Sequence, residues 1–125
     1  MVPINLPEVV AEVAACLERY EDALVTNKVE VLDELFLDAA QTVRYGAAET
    51  LYGIEEIRAF RQARPSVGLA RTVTRTAITT FGRDFAVAHR EFTRQGNPKP
   101  GRQTQTWVRT DAGWRVVSAH VSQSL

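Results

Sequence analysis

Apolar residues in the first part of the chain return at intervals of three and four. Val9, Val13, Cys16, Tyr20 and Leu24 form one such stripe, which predicts an amphipathic helix with that side buried. Asn5, followed three residues later by Glu8, reads as a capping pair, with Pro7 tolerated in the first turn. Asn27 stands where this helix should end and a second should start, since Glu30 again sits three residues on. Val31, Leu32, Leu35 and Phe36 give that short second helix its buried side. The period then changes. Thr42, Val43, Arg44 and Tyr45 have the β-branched and aromatic character of a strand, closed by Gly46. A turn-rich stretch leads to Leu51 and Tyr52. Gly53 then precedes a third helix, with Ile54, Ile57, Phe60 and Arg61 along one side and Pro65 beyond it.

Strands fill the second half. Residues 69 to 81 (LARTVTRTAITTF) are rich in Thr, Val and Ile, and Gly82-Arg83-Asp84 supplies a turn. Residues 85 to 94 predict a second strand, broken by a loop from Gln95 to Gly101 that holds two prolines. Residues 102 to 110 and 114 to 122 follow, joined by a hairpin turn at Asp111-Ala112-Gly113. Short connections favour an antiparallel meander. Helices followed by a long antiparallel sheet make an α+β layout, with the helices packed on one sheet face. Residues 1–125 contain no repeat, linker or low-complexity segment, so a single domain is expected.

Composition narrows the classes of function. Of 125 residues, 45% are apolar and 24% charged, as in ordinary globular proteins. The 15 basic and 15 acidic side chains cancel, which leaves no electrostatic reason to expect nucleic acid or an anionic membrane as partner. No apolar run approaches the ~20 residues of a membrane span. The start, MVPINLPEV, lacks the pattern of a secretory signal. The one cysteine, Cys16, has no internal partner, which fits a reducing, cytoplasmic setting. His89, His120 and Cys16 form no spaced ligand set, and no glycine loop cradles a phosphate. No metal and no cofactor are expected.

The order helix, helix, strand, helix, meander is similar to the nuclear-transport-factor-2-like superfamily, whose cystatin-like cone encloses a cavity. DAGWRVVSAH near the end of the sheet strengthens that likeness. More narrowly, NLPEVVAEVAACLERYEDAL, LDELF, TVRYGAAETLYG, IRAFRQAR, TRTAITTFGRDFA and GRQTQTWVR resemble the AtzH-like family, which includes oxalurate catabolism proteins called HpxZ. The resemblance implies a small dimeric protein functionally linked to an amidase of nitrogen-compound catabolism. It implies a decarboxylating amidohydrolase of the type that converts 1,3-dicarboxyurea to allophanate. It also implies roles for a tyrosine on the first helix and an arginine on the first strand, which match Tyr20 in LERYEDAL and Arg44 in TVRYG.

The residues themselves leave alternatives open. An aromatic side chain on a helical stripe is usually core, so Tyr20 either packs or donates a hydrogen bond to a developing negative oxygen. Arg44 either lies on a solvated face or lines a cavity; inside, it must be paired, by a substrate carboxylate or by Glu49. Gln103, Gln105 and Trp107 share one strand face, as do Trp114, Val116, Ser118 and His120. Gln105 and His120 are therefore candidate pocket-lining residues, the amide to orient a urea-like carbonyl and the imidazole as acid or base. Among Arg58, Arg61, Arg71 and Arg75, Arg61 is the best further anion contact because it aligns with Ile57. His89 reads as surface and Cys16 as core. A binding or accessory protein for the amidase is the alternative to an enzyme. An isomerase or dehydratase ranks third, since neither Glu49 nor Asp84 is plainly set as a carboxylate base. Val43, Tyr45, Val108, Val117, Val121 and Phe92 would leave an apolar sheet face bare, and two-fold pairing into a homodimer is the expected cover.

Overall fold

Pro7 and Glu8 suit the first turn of a helix, where a missing N–H costs nothing and a carboxylate faces the positive end of the dipole. In the computed structural model, which describes residues 1–124, they open α1 (Pro7–Val25). Its buried side is Val9, Val13, Leu17, Tyr20, Ala23 and Leu24. Cys16 lies on the rim of that stripe, half-buried, and Leu17 takes the centre. Asn5 is not a cap. It adopts a left-handed φ of 60°, its N–H donates to the Thr80 carbonyl, and its Oδ1 accepts from the Thr80 N–H at 2.8 Å. The asparagine thus tethers the segment before the helix to the sheet. Asn27, at φ 55°, does end α1, but Lys28 occupies the cap of α2 (Val29–Leu35), with no side-chain hydrogen bond.

The chain continues through β1 (Val43–Tyr45), β2 (Thr50–Tyr52), α3 (Ile54–Ala63), β3 (Thr72–Phe81), β4 (Phe85–Arg94), β5 (Asn97–Thr110) and β6 (Gly113–Gln123). The sheet order is β2-β1-β6-β5-β4-β3. The meander from β3 to β6 is antiparallel as expected, and β1 joins it parallel to β6. Two segments differ from the sequence expectation. Leu51 and Tyr52, to which the turn-rich stretch leads, lie in a short strand that was not expected. The loop from Gln95 to Gly101 is a tight turn at Gln95-Gly96, after which β5 starts at Asn97 with both prolines inside it. Gly96 supplies the positive φ of 80° that the turn requires.

The helices cover one face of the sheet. Their buried side chains meet Ala86, Ala88, Trp107, Trp114, Val116 and Ala119 to form the core. Register places Arg44, Ala119, Gln105, Ala88 and Ile78 in one row across five strands on this inner face. One irregularity decides which side chains join it. Trp107 pairs with Val116 but Thr106 pairs with Ser118, so Val117 is an extra residue in β6. Such a bulge reverses the alternation beyond it. Trp114 and Val116 face inward before it, Ala119 after it, and His120 is left exposed on the other side.

Candidate functional site

Tyr20 reaches from α1 into the core between helices and sheet and is 4% exposed. Its ring lies 6.4 Å from that of Phe36. Arg61, on the inward side of α3 and only 2% exposed, places its guanidinium 4.2 Å from the same ring. Phe36 therefore has the Tyr20 phenol as a neighbour, tilted by 40°, and the Arg61 cation over its ring. Arg61 donates to Asp33 on α2 at 2.9 Å, while its Nη2 is buried with no acceptor. Burial pushes the Arg61 pKa down; Tyr20 and the Asp33 hydrogen bond hold it up, and the Arg44 charge lowers it further.

Arg44 is 8% exposed, so β1 does point it into the interior. Its Nη1 donates to Oε1 of Glu49 at 2.7 Å, and its guanidinium carbon lies 5.5 Å from the centroid of the Phe60 ring. Of the two partners open to a buried Arg44, the chain supplies Glu49. Gly46 makes this pairing accessible, because a Cβ there would collide with the Glu49 carboxylate. Gln105 is fully buried two strands away, about 10 Å from Arg44 by strand spacing. Ala119 lies between them in the row. Gln105 Oε1 accepts from the Trp107 indole at 3.2 Å and its Nε2 has no partner.

His120, expected to line the pocket, does not. The extra residue in β6 turns it to the outer face, where its ring meets Tyr45 edge-on at 5.5 Å. His89 is also on that face and contacts Thr104. Asp84 pairs with Arg109 near the surface.

Sequence reading passed over Arg64 and did not foresee the ion pairs of a second group that includes Arg71 and Gln103. Arg64 follows Arg61 by three residues, the spacing that keeps one helical side. Its Nε and Nη2 are buried without an acceptor. Burial and the Arg44 charge push its pKa down, opposed by Tyr20 and Glu49. The second group ties α1 to the sheet. Arg71 donates twice to Glu21, at 2.7 and 2.8 Å, and once to Gln103 at 3.0 Å. Arg90 donates to Glu18 at 2.6 Å. Arg90 was legible as an inward residue from its alternation with His89, whereas Phe92, expected on the outer face, and Gly101, expected in a loop, both lie inward.

The AtzH-like family model matches residues 2–124. The chain belongs to the AtzH-like family. This AtzH-like chain is 60% identical to a protein of unknown function from Pectobacterium atrosepticum, with a TM-score of 0.96 over 98% of this chain and 95% of that one. A cystatin-like fold protein from Burkholderia xenovorans is 46% identical over 98% and 97%, with a TM-score of 0.93. A nuclear-transport-factor-2-like protein of unknown function from Pseudomonas putida shares the fold at 18% identity, with a TM-score of 0.73 over 90% and 84%. No curated protein matches. The α+β cone is thus cystatin-like, of the nuclear-transport-factor-2-like type. Among the described residues no helix is long and apolar enough to cross a membrane.

Proposed function

We propose that this AtzH-like protein is a decarboxylating amidohydrolase for a small N-carboxylated urea or amide, of the type that converts 1,3-dicarboxyurea to allophanate. One observation carries the reading: buried N–H groups without acceptors on the inner side of the fold. Arg61 Nη2 and Gln105 Nε2 are both buried and unpartnered, and such groups are satisfied by water or by a ligand. Arg44 binds one substrate carboxylate with its planar fork, sharing with Glu49 or displacing it. Arg61 and Gln105 hold the second carboxylate or the urea oxygen.

In the reacting step the N–carboxylate C–N bond breaks. The electron pair stays on nitrogen, CO₂ departs, and Tyr20 supplies the proton that nitrogen takes up. Water restores that proton to the phenol and hydrates CO₂ to bicarbonate. No side-chain nucleophile is needed, so hydroxyl, carboxylate and guanidinium suffice. Purified protein incubated with 1,3-dicarboxyurea is expected to release allophanate. Tyr20→Phe should lower kcat by about 10²-fold or more, the usual weight of a positioned proton donor, with the circular dichroism spectrum intact. Unchanged turnover in that variant rules out the assigned role.

Glu49 on Arg44 favours a second reading, a non-catalytic carboxylate-binding or accessory protein for a partner amidase. Thermal stabilisation by small dicarboxylates with no turnover would select it. In either case we infer a homodimer joined through the outer sheet face, because Val43, Tyr45, Val108 and Val117 remain only partly covered there.

A further inference from the structure

Beyond the row that carries Arg44 and Gln105, the inner face ends in a separate cavity of about 130 Å³. Phe92 is its floor. Gly101 opposes Phe92 in the register and carries the ring against its own backbone, where any Cβ would collide with it. Arg94 and Lys99 line the cavity with the polar side chains of Asn97, Ser122 and Gln123. The described residues that line it include two cations and no carboxylate.

Arg94 is the informative member. Its guanidinium carbon sits 4.9 Å from the centroid of the Phe92 ring, and its Nε is buried with no acceptor. The neighbouring Arg71, 4.4 Å from the same ring, is satisfied by Glu21 and Gln103. Among the described residues Arg94 has no such ion pair. Burial pushes its pKa down, and the charges of Arg71 and Arg64 push in the same direction against Glu21. A guanidinium held by a ring face, with an open N–H and a second cation beside it, matches an anion with oxygens to donate to.

We propose that Arg94 and Lys99 form a second anion site at the end of the cone, separate from Arg44 and fitted to a small carboxylate-bearing molecule. Four residues of strand, about 13 Å, separate the Ala119 and Gln123 positions that mark the two sites. The second site does not depend on the reaction proposed above; it requires only that a carboxylate enter this end of the cavity.

Calorimetric titration of the full chain with malonate tests it. The Arg44→Met variant is expected to keep one binding event, and adding Arg94→Met to it should weaken that event at least tenfold. Lys99→Met, an exposed change that leaves the core alone, should weaken it several-fold in the same background, and it decides the matter if the arginine variant fails to fold. Malonate binding abolished by Arg44→Met alone, or unaltered by Lys99→Met, overturns the second site. Neither result bears on turnover, which the Tyr20→Phe assay reads.

Discussion

Arg44 brings its charge into the cone and meets a carboxylate of its own chain. The pair is mostly shielded from water, with side-chain exposures of 10% and 21% for Arg44 and Glu49. Removing one partner from such a pair costs more than the pair is worth, because the other charge remains buried. Glu49→Gln is therefore expected to destabilise the fold by about 1–3 kcal/mol, less than a fully buried pair because Glu49 is partly wet. Added malonate should raise the Tm of this variant more than that of the wild type, since a free carboxylate replaces the missing one on Arg44. Equal shifts in the two proteins would mean that Glu49 does not occupy a ligand position. Gly46→Ala offers an independent route to the same state, by excluding the Glu49 carboxylate from its seat.

The helix–sheet junction is pinned by ions as well as by packing. Burial pushes the pKa of Glu21 up, but the hydrogen bonds and charges of Arg71 and Arg90 outweigh it and leave the carboxyl below its ordinary value. A carboxylate lowered on folding stabilises the native state fully above the unfolded pKa of about 4.3. That contribution is lost as pH falls through the lowered native value. Tm measured from pH 6 down to pH 3 should fall steeply at the acid end, and Glu21→Gln should flatten the fall while lowering Tm at pH 6. At this scale much of the fold was readable. The helical stripes put Tyr20 and Arg61 on apolar sides, and strand alternation offered Arg44 and Gln105 as inward candidates, because each lies on a regular stretch. His120 escaped because a single inserted residue in β6 leaves no mark in composition. Arg64 and Arg94 were passed over since an arginine on an amphipathic element is usually solvated, and only the third dimension shows what closes over it.

For the whole molecule the unfinished surface is the outer sheet face. Phe92 and Val121, expected there, lie on the inner face instead, yet Val43, Tyr45, Val108 and Val117 remain partly open beside Thr104 and Thr106. Sedimentation of the wild type is expected to report a dimer. Thr106→Arg, which sets a charge in mid-sheet against its two-fold copy, should shift it to monomer without lowering helix content. A monomeric wild type would leave this face as solvated surface. The three-residue strand β1 has another consequence. It lies parallel to β6, with Arg44 beside Ala119, so a buried cation from the first half of the chain is seated only by a strand that comes after the whole meander. A chain arrested before that strand emerges, or one clipped within it, has nowhere to hang its guanidinium, and capture of a small acid becomes a report that the sheet has closed beside it.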